Sequence, residues 1–308
     1  MPLNLHLLRL FATVARTGSF SKAAEVLLLS QPAISKGVRD FELQLGCLLL
    51  DRTPRGVKPT REGAALMRHA EMLFAAERAA EEELRALRDL NSGSLRIGAS
   101  TTIATYFIPD YLGAFHAQYP GIDLQLTSAN TRDIAQLMLA HEIEIGLVEG
   151  PVEEDGLTSE PWRTDIMELI VGPRHHFTLS NQPIDPKRIA DEILIVREPG
   201  SGSREVISQA LGARKIEPGR TLEIGSTEAI KQVVAAGLGV AIVSEAAVKD
   251  QIALDRLKII KMRGLEIERT LWRLKTPGRL DVPSAIAFEK LIARPAACAA
   301  NHARPSPS

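Results

Sequence analysis

The stretch SFSKAAEVLLLSQPAISKGVRDFELQL, residues 19–45, decides the fold of the N-terminal part of the chain. It predicts two short helices joined by a tight turn, with Ser21 as the N-cap of the first and Ser30 as the N-cap of the second. Pro32 suits the first turn of the second helix because its missing N–H breaks no helical hydrogen bond. Four apolar residues of this helix recur at helical spacing, and we expect them to face a core: Ile34, Val38, Phe41 and Leu45.

The other face of the second helix is polar and suits a DNA major groove, where amide, hydroxyl and basic side chains bond base edges and phosphates. Charge supports this reading, since residues 1–61 hold nine basic and four acidic side chains although the net charge of the whole chain is -1. An ordinary helical hairpin with a solvated face is the alternative. Glu42 is also expected on or near this face. The predicted DNA contacts are Ser30, Gln31, Pro32, Ala33, Ser35, Lys36 and Arg39.

Flanking segments are predicted to support this helix pair. Residues 3–17 have the apolar spacing of a helix that ends at Gly18. Residues 47–59 predict a two-stranded wing with a basic tip that contains Gly and Pro, and a charged hairpin loop is the alternative. In the wing, the predicted phosphate or minor-groove contacts are Arg52, Arg55 and Lys58.

A long helix is predicted to begin after Thr60, a good N-cap, and to run to about residue 90. Gly63 stands in the place of a capping-box Glu. A heptad repeat predicts that this helix pairs with a second copy of the chain, and a helix lying on its own domain is the alternative. The repeating positions are Leu66, Leu73, Ala80 and Leu87.

A set of residues between positions 11 and 63 carries a resemblance to a known family. They are Phe11, Gly18, Ser19, Phe20, Ala23, Ala24, Leu27, Ser30, Gln31, Pro32, Ala33, Ser35, Leu45, Gly46, Leu49, Asp51, Arg52, Thr60 and Gly63. This segment resembles the winged helix-turn-helix of LysR-type transcriptional regulators. The resemblance implies a linker helix, then a two-lobed, periplasmic-binding-protein-like effector domain. Its implied partners are double-stranded operator DNA, the chain itself as a dimer or tetramer, and RNA polymerase.

Two residues depart from the pattern of the family. Lys36 and Gly37 stand where the family more often has Arg and a long polar residue. A glycine inside a helix costs roughly 1 kcal/mol relative to alanine. Local DNA contacts are therefore expected to differ from those of the family even where the docking does not.

From residue 95 onwards, short apolar strands alternate with helices, which predicts an α/β body with open, mostly parallel sheets. Two lobes are expected, with chain crossings near residues 157–162 and 264–269. Strands are predicted at residues 95–98, 123–127, 143–148, 167–171, 193–196, 221–224, 240–243, 257–261 and 268–274. Helices are predicted at residues 104–119, 131–141, 204–211, 227–236 and 283–292.

These elements divide the chain into predicted domains. The expected order is a winged helix-turn-helix DNA-binding domain at residues 1–60, a linker or dimerisation helix with a hinge at 61–93, an effector-binding domain at 94–294, and a disordered tail at 295–308. Within the effector-binding domain, lobe I is expected at about residues 94–160 and 266–294, and lobe II at about residues 161–265.

Hydroxyl and glycine residues follow several predicted strands where helices begin, which is where open sheets bind ligands and where free N–H groups favour anions. Residues 200–204 are the sharpest case, because two glycines, two serines and Arg204 converge there. Hydroxyl N-caps that merely stabilise helices are the alternative. The candidate effector ligands are Ser100, Thr101, Thr102, Ser128, Asn130, Thr131, Glu149, Gly202, Ser203, Arg204, Ser226 and Thr227.

Residues 200–204 also resemble a stretch in the LysR subgroup that includes regulators of sulfur assimilation and carbon fixation, as do residues 130–134 and 147–151. The resemblance favours a small anionic effector, such as a sulfur oxyanion, a small carboxylate or a phosphate metabolite. Three roles stay open for Glu149: it binds an amine, it pairs with Arg197 or Arg204, or it caps the strand end.

No cofactor, metal site or catalytic group is predicted. Cys47 and Cys298 are too few for a disulfide framework. His175 and His176 are assigned to a surface turn, because adjacent histidines in regular structure do not present both rings to one ion. The alternative function is an α/β enzyme or a solute-binding protein that uses the nest at residues 200–204. Against the enzyme, no triad order, metal-ligand spacing or carboxylate pair stands near that nest.

The expected location is the cytoplasm. The sequence shows no N-terminal signal segment, and no apolar run approaches the roughly 18 residues that span a bilayer. A membrane partner is therefore not expected.

Overall fold

The computed structural model describes residues 3–53, 56–88, 93–150, 152–180 and 182–293. The chain divides into two compact units, Met1–Glu81 and Glu82–Ser308. Arg55 of the wing tip, residue 151 and the predicted tail at 295–308 lie outside the described residues, as does the side chain of Leu87. Among the helices that are described, none is both long and apolar enough to cross a membrane.

Three helices build the core of the N-terminal unit, where the rings of Phe11 and Phe41 lie 6.4 Å apart between centroids. Gly18 ends the first helix in the left-handed conformation, as predicted. The predicted N-cap Ser21 is wrong, because Ser19 caps the second helix by accepting a hydrogen bond from the Lys22 N–H. The helices are α1 (Leu5–Thr17), α2 (Phe20–Leu27) and α3 (Gln31–Leu45).

Helix α3 has the predicted cap and largely the predicted buried face. The Ser30 hydroxyl accepts a hydrogen bond from the Ala33 N–H, and a proline lies in the first turn. Ile34, Val38 and Phe41 are fully buried. Leu45 is 37% exposed, so its predicted place in the core is wrong; it is the last residue of α3, just before the C-cap.

Gly37 lies at a close contact between helices α1 and α3. A Cβ built on Gly37 would lie 2.3 Å from Cδ1 of Leu10, which is itself buried against α3. The propensity cost of glycine in a helix is therefore offset by the close approach of α1 to α3.

The predicted wing forms from β1 (Leu50–Thr53) and β2 (Gly56–Pro59), which pair antiparallel. The Val57 N–H donates to the carbonyl oxygen of Gly18 at 3.0 Å. This bond ties the wing to the end of α1.

Thr60 links the wing to the long helix α4 (Arg61–Arg88). Its hydroxyl accepts from the Gly63 N–H at 2.9 Å and donates to the carbonyl of Leu48 at 2.8 Å. A Cβ on Gly63 would lie only 2.0 Å from the carbonyl oxygen of Leu49. The helix start packs so closely on the chain before β1 that no Glu of a capping box fits there.

Helix α4 buries part of its apolar surface in its own unit. Ala70 is fully buried and Leu66 packs on the same core. Leu73 is 42% exposed and Leu84 is 63% exposed, so much of the apolar surface along the predicted heptad lies open in the single chain.

The C-terminal unit alternates strands and helices as predicted. Its strands are β3 (Gly93–Ser100), β4 (Ile122–Ala129), β5 (Ile145–Val148), β6 (Thr158–Val171), β7 (Ile193–Val196), β8 (Arg220–Glu223), β9 (Val240–Ser244), β10 (Lys258–Ile260) and β11 (Ile267–Lys275). Its α-helices are α5 (Thr101–Tyr106), α6 (Pro109–Gln118), α7 (Thr131–Leu139), α8 (Gly202–Ala213), α9 (Thr227–Ala235), α10 (Lys249–Ala253) and α11 (Pro283–Ile292).

One sheet runs through both lobes in the order β4-β3-β5-β11-β6-β9-β7-β8, with β10 beside β6. Lobe I contains β3, β4 and β5, which pair in parallel, and lobe II contains the parallel strands β7, β8 and β9. Strands β6 and β11 pair with each other and carry the chain between the lobes. The predicted α/β class with two lobes is confirmed.

The prediction of mostly parallel sheets is wrong. The long strands β6 and β11 are antiparallel to each other, and β6 is antiparallel to β9 and β10 as β11 is to β5. The chain passes between lobes along strands, so each crossing strand runs against the parallel strands beside it. The helix predicted at residues 104–119 is also two helices, since Pro109 begins a new one.

Candidate DNA-binding surface and ligand cleft

The polar face of α3 is open to solvent in the N-terminal unit. Ser35 is half-buried, and the other predicted contacts in this helix are exposed: Ser30, Gln31, Pro32, Ala33, Lys36 and Arg39. Lys36 and Arg39 form no ion pair with an acidic side chain in the described part of this unit. Two cations that are not neutralised by neighbours are suited to phosphates and base edges.

Glu42 has a structural role and does not contribute to this polar surface. Its carboxylate accepts hydrogen bonds from the Leu49 N–H at 2.8 Å and from the Leu50 N–H at 3.2 Å. The side chain therefore fixes the end of α3 to the start of β1, and the expectation that it lies on the DNA-facing side is wrong.

The wing supplies two more exposed cations. The Arg52 guanidinium lies over the Phe20 ring, 4.7 Å from its centroid, which holds it beside the start of α2. Lys58 is exposed and stands opposite Asp51 in the strand pair. The structure thus places both on the same hairpin, while Arg55 lies outside the described residues.

In the C-terminal unit, four helix N-termini meet where the lobes face each other. Helices α5 and α7 come from lobe I, and α8 and α9 come from lobe II. The Arg132 N–H donates to the carbonyl of Gly200 at 3.4 Å, across the cleft. A Cβ on Gly202 would lie 2.9 Å from the Thr131 hydroxyl and 2.4 Å from the carbonyl of Glu149. Gly202 is thus needed for the two lobes to approach.

Two of the candidate effector ligands cap helices, and a third lies on the edge of the sheet. Asn130 caps α7 through its side-chain oxygen, which accepts from the Asp133 N–H at 2.9 Å. Ser226 caps α9 by accepting from the Ala229 N–H at 3.4 Å. Ser128 is exposed on β4, the edge strand of the sheet.

Three hydroxyls at these helix starts are buried, and no hydrogen-bond partner is found for them within the described residues. They belong to Ser100, which is 2% exposed, Thr131, which is 8% exposed, and Ser201, which is 2% exposed. A buried polar group without a partner costs about 1–3 kcal/mol. Each of them lies at the start of a helix, where free backbone N–H groups also favour anions.

Glu149 lies fully buried at the centre of the cleft, at the end of β5. Its carboxylate accepts hydrogen bonds from the Thr102 N–H at 3.2 Å and from the Ser203 hydroxyl, and it lies 3.1 Å from Nη1 of Arg269. Burial alone would raise the pKa of Glu149, but the Arg269 charge and these hydrogen bonds outweigh it and lower the pKa to about 2. Glu149 is therefore an internal anion that already occupies donors of α5 and α8.

Arg269 in turn joins the two crossing strands. Its Nη2 lies 2.7 Å from the Asp165 carboxylate, and its Nη1 donates to the Ser203 hydroxyl at 2.8 Å. Asp165 also accepts from the Ser244 hydroxyl at 2.8 Å. Of the three open roles of Glu149, pairing is the observed one, but its partner is Arg269 rather than Arg197 or Arg204.

Arg197 is the buried cation on the other wall. Its Nη1 donates to the Thr227 hydroxyl at 3.1 Å and its Nη2 to the Thr101 hydroxyl at 3.5 Å, which bridges the lobes. Both Nε and Nη2 also bond the Glu198 carboxylate, at 2.7 and 2.8 Å. A small pocket beside it has mixed walls. Its polar lining residues are Thr102, Arg197, Ser203, Thr227 and Ser244, and its apolar ones are Ile195, Val196, Ile207, Ile230, Ile242 and Val243.

Arg204 does not supply the fixed positive group expected in the cleft. Its Nη1 donates to the carbonyl of Arg197 at 2.8 Å and to the carboxylate of Glu223 at 2.7 Å. The preceding Ser203 faces Glu149, and one residue further along a helix points about 100° away. The guanidinium of Arg204, expected to bind an anion, thus binds the Arg197 carbonyl and the Glu223 carboxylate of lobe II.

Three buried contributors were missed from the sequence: Asp165, Ser244 and Arg269. Ser244 follows a strand in the same way as the predicted residues, so the strand-end argument could have found it. Asp165 and Arg269 lie in the middle of crossing strands, where no local pattern marks them.

The chain matches two protein families in tandem. Residues 5–64 match the bacterial regulatory helix-turn-helix protein family, lysR family. Residues 88–296 match the LysR substrate binding domain.

Similar proteins support the same assignment. The chain is 34% identical over 297 residues to a probable RuBisCO transcriptional regulator of Cyanidioschyzon merolae, covering 94% of this chain and 97% of that protein. It is 34% identical over 274 residues to the uncharacterized HTH-type transcriptional regulator YeiE of Escherichia coli, covering 89% and 92%.

Two solved structures share the fold. The CcmR regulatory domain of Synechocystis PCC6803 in complex with 2-PG has a TM-score of 0.61 and 30% identity, covering 66% of this chain and 96% of that chain. A full-length OxyR variant from Pseudomonas aeruginosa has a TM-score of 0.74 and 24% identity, covering 95% and 94%.

Proposed function

Because the chain belongs to the LysR family of transcriptional regulators, we propose that a small anion bound between its lobes controls how it acts on operator DNA. The observation that carries this proposal is the group of three buried, unpartnered hydroxyls of Ser100, Thr131 and Ser201. The 2-PG complex of the related CcmR domain supports a small anionic effector. The relatives are named as regulators, which disfavours the enzyme and solute-binding alternatives.

Neutral donors are the groups left for the effector. Arg197 is bonded to Glu198, and Arg269 is bonded to Glu149 and Asp165. The cleft cations are thus already neutralised by carboxylates of the chain. Hydroxyls and helix N-terminal N–H groups remain, and these bind sulfur oxyanions, carboxylates and phosphates without a counter-charge.

The test is the pair Ser100→Ala and Ser201→Ala in the full chain. Each substitution removes a buried hydroxyl without a partner, so the stability of the ligand-free protein should stay equal or rise by up to about 1 kcal/mol. Affinity for the effector should fall about 10- to 100-fold per hydroxyl, because a hydrogen bond to a charged group contributes about 1.5–3 kcal/mol. A thermal-shift panel of sulfate, sulfite, phosphate, small carboxylates and 2-PG identifies the ligand, and calorimetry gives the affinities.

The control is Arg204→Ala, which removes a cation bonded to Glu223 outside the donor group. Its effect on effector affinity should be below threefold if neutral donors hold the anion. Unchanged affinity in both serine variants, or a large loss in Arg204→Ala alone, would contradict the proposal.

We propose for the N-terminal unit that α3 reads the major groove while the wing contacts the backbone or minor groove. Gln31, Ser35 and Arg39 are then the base-reading residues, supported by Ser30, Pro32, Ala33 and Lys36 at the start of the helix. Arg52, Arg55 and Lys58 are the wing contacts. Exposure and the lack of acidic partners for Lys36 and Arg39 in the described part of this unit support this assignment.

The binding test compares specific with non-specific DNA. On a site selected from random duplexes, Gln31→Ala and Arg39→Ala should each lose about 1–3 kcal/mol of specific binding and much less of non-specific binding. Lys58→Ala should lower the slope of log K against log salt by about 1 for all sequences. The exposed Lys290 of α11 provides the control Lys290→Ala, which should change neither quantity. Identical footprints in all variants would refute the assignment.

The remaining proposed features follow from function on DNA. A second copy is proposed to pair along the open apolar residues of α4, giving a dimer and then a tetramer. Action on DNA places the protein in the cytoplasm, and regulation of transcription implies contact with RNA polymerase. Size measurement by light scattering tests the oligomer.

A further inference from the structure

Two imidazoles and one carboxylate converge in lobe II, away from the cleft residues described above. The Nε2 atoms of His175 and His176 lie 3.4 and 3.2 Å from the two oxygens of Glu192. One potential ligand atom from each residue lies within 4.8 Å of the others. The side chains of His175 and Glu192 are 10% and 17% exposed, whereas that of His176 is 52% exposed, so the cluster has one side open to water.

A turn makes this convergence possible. His175 is extended and precedes a single 3-10 turn at His176–Leu179, which brings the two rings into a stack at 4.4 Å between centroids. The buried Phe177 meets both rings edge-on, at 4.7 and 4.5 Å, and limits their movement. The structure places both histidines at a turn, as predicted. The expectation that adjacent histidines do not serve one ion concerns helices and strands and does not extend to this turn.

We propose that His175, His176 and Glu192 form a binding site for a divalent cation of the zinc group. Two neutral imidazoles and one carboxylate, with further positions open to water, are a ligand set that Zn²⁺ uses in proteins. No Lys or Arg pairs with Glu192 in the part of the chain that is described, so its negative charge is available to a cation. Bond lengths of about 2.0–2.2 Å require the three ligand atoms to draw together, a change that rotation of exposed His176 provides.

Glu192 directly precedes β7, and the first turn of the chain after β6 carries the histidines. A bound ion would therefore fasten two connections of lobe II to each other. Ligand atoms must be free of protons, so the affinity rises with pH.

Two neighbours limit the affinity. The Phe177 N–H donates to Nδ1 of His175 at 3.2 Å, so the imidazole proton lies on Nε2 and faces Glu192. A metal ion at Nε2 displaces that proton, and the bond from Phe177 is lost when Nδ1 carries a proton instead. The Arg188 guanidinium lies 4.7 Å from the centroid of the Phe177 ring and repels a second cation.

The test is calorimetric titration of ZnCl₂ into the full chain without a histidine tag. We expect one site, with affinity lowered at least about tenfold by His176→Asn and by Glu192→Gln. Arg188→Gln should bind more tightly, by about two- to tenfold, because a repelling charge is removed. His116→Asn changes an exposed histidine of lobe I and should leave the titration unchanged.

Cobalt gives a second readout of the same site. With CoCl₂ the wild-type chain should show the intense visible bands of a four-coordinate ion, and His176→Asn, which alters a half-exposed side chain, should remove them. Equal zinc affinity in wild type, His176→Asn and Glu192→Gln would overturn the proposal, as would cobalt spectra of a fully hydrated ion. DNA and effector binding are measured apart from these titrations, so failure here leaves the regulatory function untouched.

Discussion

Glu149→Gln tests the contribution of one buried carboxylate to the stability of the C-terminal unit. Glutamine keeps the shape of the side chain but only one acceptor oxygen, whereas Oε1 of Glu149 accepts from the Thr102 N–H and Oε2 accepts from the Ser203 hydroxyl. The substitution therefore removes the negative charge 3.1 Å from Arg269 together with one of these two acceptors. Arg269 retains Asp165 as its partner at 2.7 Å, so the guanidinium is not left alone.

The magnitude follows from the pKa of Glu149, which the fold lowers from a usual 4.5 to about 2. Each pKa unit corresponds to about 1.4 kcal/mol, so the ionised carboxylate contributes roughly 3 kcal/mol to the free energy of unfolding. A carboxyl with a lowered pKa stabilises the fold above the pKa of the unfolded chain, near 4.5. This contribution decreases as the pH falls from there through the folded pKa, near 2.

Scanning calorimetry of the full chain measures the effect. At pH 7, Glu149→Gln should lower the melting temperature of the C-terminal unit by roughly 6–12 °C, given about 2–4 °C per kcal/mol for a domain of this size. The difference from wild type should narrow as the pH is lowered below about 4.5.

Glu160→Gln is the matched control, because this exposed glutamate also binds an arginine, Arg273. An exposed ion pair contributes at most about 1 kcal/mol, so this variant should melt close to wild type. A loss below about 1 kcal/mol for Glu149→Gln, or a loss that stays constant between pH 7 and pH 3, would refute the account of Glu149 as a stabilising internal anion.

Two further predictions concern the N-terminal unit, with unfolding by urea as the measurement. Gly63→Ala should lower the free energy of unfolding by about 2–3 kcal/mol, because the new Cβ meets the main-chain oxygen of Leu49. Gly37→Ala should lower it by less than about 1 kcal/mol, because Cδ1 of Leu10 can move aside and helix propensity improves. Equal losses in the two variants would contradict this difference. Leu28→Gly should stabilise by about 0.5–1 kcal/mol, since Leu28 ends α2 with a φ of 53° and is 91% exposed, and no gain would show that the left-handed backbone is not strained there.

The sequence was sufficient for the order of the elements. Each predicted strand of the C-terminal unit is present, because the strands stand in the sequence as short apolar runs bounded by turn residues. The helix caps Gly18, Ser30 and Thr60 are also predictable from the sequence, because each bonds a residue only three or four positions away.

Other features depend on contacts far apart in the chain and were not predictable. Strand β6 begins at Thr158, well before the predicted residue 167, because its first half is only partly buried and lacks an apolar pattern. The sequence shows only the helix-propensity cost of Gly37, whereas the reason for a glycine there is the short distance to Leu10.

The helix break before Pro109 is a different case, because Pro109 itself marks it in the sequence. The apolar spacing continues across this break, which favours the single helix that was predicted.

The candidate effector site shows the same division. Hydroxyl and glycine residues in the sequence predict the four helix starts. They do not predict which charged side chains of the cleft are paired with each other, because the partners lie far apart in the chain; Arg269, for example, follows Glu149 by 120 residues. Arg204 illustrates the consequence. An arginine in a glycine-rich nest predicts an anion site, but the guanidinium of Arg204 forms an ion pair with the carboxylate of Glu223 on β8.

Helix α5 connects the cleft to a second contact between the lobes. Its N-terminal end holds Ser100 and Thr102, and its last residue, Tyr106, accepts a hydrogen bond at 2.9 Å from the buried Lys231 of lobe II. Helix α5 therefore connects the proposed anion-binding hydroxyl of Ser100 to the contact at Tyr106. An effector switches the protein only by the difference in its affinity for two lobe arrangements. Under the proposed function, donors from both lobes supply that difference, because Ser100 and Thr131 belong to lobe I and Ser201 belongs to lobe II.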